Sequence, residues 1–348
     1  MTSSDDGGLG RNPGARARLM TWASGRRPTT LAARQSVVCA SPRVVDAIHD
    51  RPAVHPDALV FAPIGSDANV RYSGALSEAG VELTIGDNFL LQTQGYAISE
   101  YVSVIGPTLI RISDEEDLRA LAEDGRAAYE TGMFPEFLTN PIIQLADVPA
   151  LGLRGLGSGP HDRLWVDEDG TVSVSPAGLP LGDLDTDVDS LHATWEAEGT
   201  AHQDPDAIGR SVPRDVVQTV GDGHPFLPRF VAALDGQRNL RARGVALPRV
   251  SGFGGFLRPE LAQIPTEDPS PDAPFVMWSE DRHFLVSGDG SRVFEVSRTA
   301  AQAFETVIVH GDDHGAADDS LGVDAASTAR RVLDESGLSA AAPRALMS

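Results

Sequence analysis

The segment from Phe275 to Leu338 constrains the fold more than any other part of the chain. It opens with three short apolar runs, which are Phe275–Trp278, His283–Ser287 and Arg292–Val296. The second and third runs are joined by Gly288-Asp289-Gly290-Ser291, a Gly/Asp cluster typical of β-hairpin turns. The pattern therefore predicts three antiparallel strands at the start of this segment.

Helical spacing follows the three predicted strands. Ser297 is placed to cap a helix whose apolar positions recur on one face. Those positions are Ala300, Ala301, Phe304, Val307 and Ile308. Asp324 is placed to cap a last helix, and Gly337 is placed to end it. The segment thus predicts a small α+β module of the winged-helix type, in which three strands precede helices.

The junction between the third strand and the first helix carries a family resemblance. The stretch Arg292–Ala301 is a strand that runs into a helix start of the form polar, any residue, Thr, Ala, Ala, and Val332–Leu338 provides a matching ending. On these residues the segment resembles the PqqD-like RiPP recognition element, the domain that binds leader peptides of ribosomally synthesised, post-translationally modified peptides. The acidic stretch Asp312–Asp319 departs from the family pattern, which has a second helix there. The large N-terminal extension is also similar to that of the recognition protein of daptide-type gene clusters.

The third predicted strand carries the candidate binding site. If the strands lie in sequence order, one edge of this strand is unpaired and can accept an extended peptide by β-augmentation. The resemblance implies a site between this strand and the last helix. Its residues are Arg292, Val293, Phe294, Glu295, Ala329, Arg330, Val332 and Leu333. Arg330 and Arg331 are candidates for pairing with acidic leader residues. An alternative interpretation is that Phe294, Val332 and Leu333 form the core of the small domain.

The charge of the chain argues against several classes of partner and reaction. All of its 28 basic residues are arginines, and its formal net charge is −22. A chain without lysine has no Schiff-base lysine and no Walker A lysine. The negative charge disfavours nucleic acids, whose phosphates need a basic surface, and anionic membranes.

Three further features predict a cytoplasmic protein. No apolar run is long enough to span a bilayer. Residues 1–27 are polar and rich in arginine, without the apolar region of a secretory signal. The single cysteine, Cys39, excludes an internal disulfide framework and a Cys-rich metal site.

The part that precedes the module divides into a tail, an α/β domain and a linker. Residues 1–34 have the composition of a flexible tail, and residues 263–273 have the Pro- and acid-rich composition of a linker before a module at 274–340. Between them, residues 35–262 predict an α/β domain with a mixed, partly parallel sheet, because apolar runs alternate with helical segments. No GxGxxG motif follows the first strand, so a dinucleotide site is unsupported there.

The elements predicted within this α/β domain are short. The predicted strands are Ser36–Ala40, Ala58–Ile64, Val81–Ile85, Phe89–Gln92, Tyr101–Ile105 and Thr108–Ile112, with a hairpin of Arg163–Asp167 and Thr171–Ser175. The predicted helices are Arg43–His49, Ala68–Glu78, Asp117–Thr131, Val188–Ala197, Pro213–Val220 and Pro228–Arg243.

Residues that suggest catalysis or metal binding have simpler interpretations. His310 and His314 have the spacing of a helical metal site, but they lack the Glu of HExxH and lie beside glycines that break a helix. His161, His192, His202 and His224 lie among acidic residues, as in a zinc or iron site, but without a fixed metal-ligand spacing. Cys39 lies in an apolar run, where cysteine behaves as a small core residue. We therefore predict no catalytic residue, no metal site and no cofactor.

The sequence thus favours a non-catalytic recognition protein. Its partners are expected to be a precursor peptide, bound through the leader, and a modifying enzyme of the same pathway. The daptide resemblance implies an oxidative enzyme that modifies the peptide C-terminus. Two alternatives stay open: an enzyme whose α/β domain is catalytic, and a winged-helix DNA regulator, which the charge disfavours.

Overall fold

The described part of the chain forms two compact units in the computed structural model. The described residues are 14–27, 34–46, 48–64, 68–86, 89–101, 103–152, 158–198, 205–264, 270 and 272–338. Unit 1 comprises Met1–Leu121 and Ile142–Asp222, and unit 2 comprises Ala122–Pro141 and Gly223–Ser348. The chain therefore leaves unit 1, enters unit 2, returns, and ends in unit 2.

Unit 1 contains two mixed sheets. In chain order its strands are β1 (Ser36–Cys39), β2 (Leu59–Ala62), β3 (Asn69–Arg71), β4 (Ser73–Gly74), β5 (Glu82–Ile85), β6 (Phe89–Gly95), β7 (Thr108–Arg111), β8 (Ile143–Leu145), β9 (Arg163–Val166), β10 (Thr171–Ser173) and β11 (Gly182–Asp183). The first sheet has the order β11-β10-β9-β1-β2-β3, and the second has the order β4-β5-β6-β7-β8.

Both sheets of unit 1 have a parallel part and an antiparallel part. In the first sheet, β9, β1, β2 and β3 are parallel, and β10 and β11 are antiparallel additions. In the second, β6, β7 and β8 are parallel, and β4 and β5 are antiparallel additions. This arrangement confirms the predicted α/β region with a mixed, partly parallel sheet.

Helices complete unit 1 and lead into unit 2. The α-helices in this part of the chain are α1 (Ala15–Ser24), α2 (Glu115–Thr131), α3 (Val188–Glu198) and α4 (Arg214–Gly223). Short 3-10 helices lie at Pro42–Val44, Ile48–Asp50, Ser99–Tyr101, Val148–Leu151 and Pro205–Ile208. Helix α2 begins in unit 1 and ends in unit 2.

The flexible-tail prediction for residues 1–34 is wrong for helix α1. Leu19 and Trp22 of this helix are 0% and 3% exposed and pack into the unit 1 core beside Trp165. The Trp22 indole also donates to the carbonyl of Leu164 at 3.1 Å. The Ser-, Gly- and Arg-rich composition gave no sign of this apolar face, whose partners include Leu164 and Trp165, more than a hundred residues away in the sequence.

Two other predictions for unit 1 are corrected. Residues 68–78 contain strands β3 and β4 rather than a helix, because Val70 pairs with Phe61 of β2 and is buried there. Tyr101–Ile105 is not a strand: Tyr101 ends a short 3-10 helix, and its side chain and that of Ile105 are exposed. Tyr101 and Ile105 therefore contribute no side chain to the core of the described structure.

Unit 2 is built on an antiparallel sheet with helices on both faces. Its strands are β12 (Arg249–Val250), β13 (Phe275–Ser279), β14 (Arg282–Val286) and β15 (Val293–Val296), in this order in the sheet. Its helices, besides the end of α2, are α5 (Leu227–Ala242), α6 (Arg298–His310), α7 (His314–Leu321) and α8 (Val323–Glu335), with a 3-10 helix at Pro259–Gln263.

The two faces of the unit 2 sheet have different partners. On one face, Gly236 of α5 approaches Met277 and Val286 so closely that an added Cβ would lie 2.5 Å from the Met277 side chain. On the other face, Val276 and Leu285 pack with residues of α6 and α8. The predicted order of three strands followed by helices is confirmed, with β12 as an additional edge strand.

Side-chain caps explain where two of the three C-terminal helices, α6 and α7, begin. The Ser297 side chain accepts from the Ala300 amide, as the sequence predicts. Helix α7 is present despite the acidic stretch, because the Asp313 side chain accepts from the Ala316 amide at 3.0 Å. The predicted Asp324 cap is wrong, since α8 begins at Val323 with Gly322 as N-cap, two residues earlier than predicted.

The domain boundary also differs from the prediction. Residues 223–262 belong with the C-terminal module in unit 2 rather than with the α/β domain. The cause is strand β12 and helix α5, which pack on the sheet of the module. The predicted linker 263–273 is thus internal to unit 2, and its residues 265–269 and 271 lie outside the described residues.

Among the helices of the described chain, none combines the length and the apolar character that crossing a bilayer requires.

Candidate functional site

Strand β15 has a free edge in the described structure. It pairs with β14 on one side, and no other described strand pairs with it. The Ser287 amide donates to the carbonyl of Arg292 at 3.0 Å, which sets the alternation of hydrogen bonds along the two strands. In an antiparallel ladder every second residue bonds to the partner strand. The main-chain groups of Phe294 and Val296 therefore face β14, and those of Val293 and Glu295 face outward.

The side chain of Phe294 lies on the face of the sheet that packs against α6 and α8. Phe294 is opposite Leu285, and directly opposed residues share a face of the sheet. Leu285 is buried in the core cluster with α6 and α8, whereas Phe294 keeps 41% of its surface exposed. The exposed aromatic ring thus lies on the face of the sheet that α6 and α8 cover.

Glu295 lies on the opposite face and is held in place by an arginine. The Arg282 guanidinium donates through Nε at 3.0 Å and through Nη2 at 2.8 Å to the two carboxylate oxygens of Glu295. This contact lowers the pKa of Glu295, chiefly through the hydrogen bond, and raises that of Arg282. Both groups are exposed, so the pair orders the edge strand more than it stabilises the fold.

Arg292 connects the start of β15 to the end of α8. Its Nη1 donates to the carbonyl of Ser336 at 2.6 Å, and its Nη2 donates to that of Gly337 at 2.7 Å. Because these carbonyls follow the last turn of α8, the arginine also complements the negative end of the helix dipole. Arg292 therefore holds the strand and the helix in their relative position.

The predicted residues on α8 divide between core and surface. Ala329 and Leu333 are 4% and 2% exposed and belong to the core cluster, and Val332 packs against it while partly exposed. The core interpretation thus holds for Leu333, whereas Phe294 is accessible at the edge. Among these residues, only Phe294 offers a large exposed apolar surface.

The two arginines expected to meet acidic leader residues already have partners. Arg330 Nη2 donates to Asp318 at 2.8 Å and to the carbonyl of His314 at 3.0 Å, so it joins α8 to α7. Arg331 lies 3.6 Å from Glu335 one turn later in α8, and both side chains are exposed. Arg331 is the more accessible of the two for a peptide carboxylate.

A cavity elsewhere in unit 2 had no signal in the sequence. Its volume is about 170 Å³, and its lining is mostly aromatic and aliphatic. The lining residues are Tyr129, Phe226, Arg229, Ser251, Gly252, Phe253, Phe256, Leu261, Ala262, Ile264, Pro274, Val276, Glu305, Ile308 and Val309. These residues come from segments far apart in the chain, so no local motif marks them.

Glu305 is the buried acid of this cavity. It accepts hydrogen bonds from the Ser251 hydroxyl at 2.7 Å, from the Leu257 amide at 2.6 Å and from the Arg258 amide at 2.8 Å. Burial raises the pKa of Glu305, and the three hydrogen bonds and the charge of Arg258 oppose that rise. The carboxylate thus anchors the loop that follows β12. In the sequence, Glu305 is distinguished only by its place among the apolar residues of α6.

The candidate catalytic or metal-binding residues lie in different parts of the described structure, and His202 lies outside the described residues. His310 ends α6, where Gly311 breaks the helix as expected, whereas His314 begins α7, which continues through Gly315. The rings of His161 and His192 lie 4.5 Å apart, yet the described residues include no group of His, Cys, Asp and Glu suited to a metal ion. Cys39 is fully buried, and burial raises the pKa of its thiol to about 12, so it is an unreactive core residue.

Comparisons of the chain with family models, with curated proteins and with solved structures find no match.

Proposed function

We propose that the C-terminal module of unit 2 binds the leader of a precursor peptide by β-augmentation along β15. The observation that carries the proposal is the free edge of this strand, where the main-chain groups of Val293 and Glu295 face outward. A peptide paired with this edge extends the sheet order β12-β13-β14-β15 by one strand. Main-chain hydrogen bonds then supply affinity that does not depend on the peptide sequence.

Side chains of the peptide supply the selectivity. Residues of a bound strand alternate between the two faces of the sheet. Every second residue of the peptide then lies on the face that α6 and α8 cover, beside Phe294, which is 41% exposed. We expect apolar residues at these positions of the leader, because they would cover the exposed ring.

In this proposal the protein is an accessory recognition protein of RiPP biosynthesis and not itself an enzyme. It holds the leader in the cytoplasm and presents the precursor to a modifying enzyme of the same pathway. Unit 1 docks that enzyme or extends the contact with the peptide. The resemblance to daptide-cluster proteins favours an oxidative enzyme that acts on the peptide C-terminus.

The test removes one outward N–H of β15. Glu295→Pro deletes that donor, and proline is tolerated at an edge whose N–H faces away from the sheet. The probe is a fluorescein-labelled synthetic leader peptide with apolar residues at every second position, titrated with full-length protein and followed by anisotropy. We expect saturable binding to wild type and binding at least about tenfold weaker to Glu295→Pro.

Glu295→Ala is the matched control. Both variants lose the contact with Arg282, but Ala keeps the main-chain donor. We expect Glu295→Ala to bind within about threefold of wild type, since exposed ion pairs contribute little. Equal binding by the Pro and Ala variants, or no saturable binding to wild type, would refute the proposal.

A backbone scan of the peptide tests strand pairing directly. Leader peptides that carry a single N-methyl group at successive positions lose one donor each. Because alternate N–H groups of a bound strand face β15, we expect weakened binding at every second position. A loss at every position, or at none, would contradict β-augmentation even if the peptide binds.

Substitutions of Phe294 and Leu333 distinguish a peptide-binding residue from a core residue. Phe294→Ala should weaken peptide binding while the melting temperature changes little, because the side chain is half exposed. Leu333→Ala should cost about 2–5 kcal/mol of stability, because Leu333 is 2% exposed in the core cluster. Unchanged binding by Phe294→Ala would remove the proposed selectivity surface.

A further inference from the structure

Unit 1 contains a buried cluster of charges that the peptide-binding proposal does not use. Arg111 ends β7, Asp147 follows β8 and Arg163 begins β9. The three residues are 5%, 3% and 1% exposed. Arg163 Nη1 donates to Asp147 Oδ1 at 2.8 Å, and the Ser175 hydroxyl donates to Asp147 Oδ2 at 2.8 Å.

The cluster has more positive than negative charge. Asp147 is its single carboxylate, and the nearest approach of Arg111 to it is 3.7 Å from Nη1 to Oδ2. Burial lowers the pKa of Arg111, the charge of Asp147 opposes this change, and the charge of Arg163 adds to it. Two guanidinium groups thus share one carboxylate in a place from which water is largely excluded, which is costly unless another anion is present.

Arg111 has two donors that match the oxygens of an oxyanion. Its Nε and Nη2 atoms are buried and have no hydrogen-bond partner among the described residues. These two N–H groups lie on the same side of the guanidinium and form the fork that binds two oxygens of one carboxylate or phosphate. Arg282 in unit 2 uses the same two atoms on the two oxygens of Glu295.

The position of Arg111 in the fold is also typical of a ligand site. Arg111 is the last residue of β7, beside Gly95 at the end of the parallel strand β6. Ligands of α/β sheets commonly bind at the carboxyl ends of parallel strands. The unpaired fork thus lies at the end of the sheet where a ligand is expected.

We propose that Arg111 binds a small oxyanion, a phosphate or a carboxylate, through its Nε and Nη2 donors. Arg163 supplies a second positive charge, and Asp147 orients Arg163 through their hydrogen bond. The site lies wholly in unit 1 and does not depend on the proposed peptide edge.

The experiment uses the full-length protein and calorimetric titration with sodium phosphate and, separately, sodium acetate. The background is HEPES and sodium chloride at matched ionic strength, since salt alone affects a chain of net charge −22. We expect saturable binding of one anion per chain. Phosphate binding without acetate binding assigns a tetrahedral oxyanion, and acetate binding assigns a carboxylate.

Three variants locate the site. Arg111→Met, which removes the charge and the fork, should weaken binding at least about 100-fold, and Arg111→Lys, which keeps only the charge, about tenfold. Arg119→Met removes an exposed arginine, paired with Glu115, and should bind as wild type does. Phosphate should raise the melting temperature of wild type and Arg119→Met but not of Arg111→Met.

The wild-type titration is decisive even if a variant fails to fold. No saturable binding of either anion to wild type overturns the proposal, as does equal binding by folded Arg111→Lys. Leader-peptide binding measured on the same samples is expected to stay unchanged in Arg111→Lys, so the two proposals fail separately.

Discussion

Replacing Asp147 by Asn should destabilise unit 1 strongly, because it removes the single carboxylate of the buried cluster. Asp147 is 3% exposed and sits in the left-handed region at φ 47°. Asn adopts this region readily, so the substitution changes the charge without adding backbone strain. Asp147→Asn therefore isolates the electrostatic effect.

The magnitude follows from the contacts of the carboxylate. Asp147 accepts from Arg163 and from Ser175, and hydrogen bonds to charged groups contribute about 1.5–3 kcal/mol each. Asn keeps one acceptor oxygen but carries no charge, and about 3–5 kcal/mol is expected when the charge of one partner of a buried ion pair is removed. With a slope of about 2 kcal/mol per molar urea, the unfolding midpoint should fall by roughly 2 M.

Tryptophan fluorescence during urea denaturation provides the assay. The rings of Trp22 and Trp165 lie 6.2 Å apart in the unit 1 core, and Arg163 Nη1 donates to the carbonyl of Trp22 at 3.0 Å. The buffer contains no phosphate, since an oxyanion at Arg111 would mask the effect.

A second substitution shows whether charge is the cause. Arg111→Met in the Asp147→Asn background removes one of the two uncompensated cations, so we expect it to recover part of the lost stability. A cost below about 1 kcal/mol for Asp147→Asn would refute the reasoning. Strictly additive effects of the two substitutions would refute it as well.

Two further predictions concern unit 2. Burial raises the pKa of Glu305 above its ordinary value of 4.5, so its contribution to stability is present below that pH and is lost as the pH rises through the folded-state pKa. Glu305→Gln should therefore gain stability relative to wild type as the pH rises towards neutrality, and a constant difference in urea titrations would contradict this. Gly254 has φ +65°, and a Cβ there would lie 2.3 Å from the Gly132 amide nitrogen, whereas Gly244, at φ +79°, has open space. Gly254→Ala should thus cost about 2–3 kcal/mol more than Gly244→Ala in the same assay, and equal costs would show that the contact is not close.

Local patterns predicted the C-terminal module well. The Gly/Asp cluster before Arg292 predicts the turn between β14 and β15, and Ser297 predicts the start of α6. Both features depend on residues that are neighbours in the sequence. Phe294 could be assigned to the third strand in the same way. Its exposure could not be predicted from the sequence, because exposure depends on where the helices lie.

Predictions failed where distant segments decide the structure. The sequence places Trp22 in a tail because its contact with Trp165 leaves no local signal. Residues 69–71 form a strand because β2 lies beside them. Helix α7 forms at an acidic stretch because Asp313 caps it and Arg330 of α8 binds Asp318.

The sequence by itself determined the local elements: the strand–turn–strand pattern, the Ser297 cap and the buried character of the run that holds Cys39. These depend on hydrophobic period, turn residues and capping, which act over a few residues. Only the tertiary structure decided that the outer edge of β15 has no described partner strand. It also decided that Arg111, Asp147 and Arg163 share one buried site. Strand pairing and buried charges join residues far apart in the chain, and their free energy depends on the surroundings that the complete fold creates.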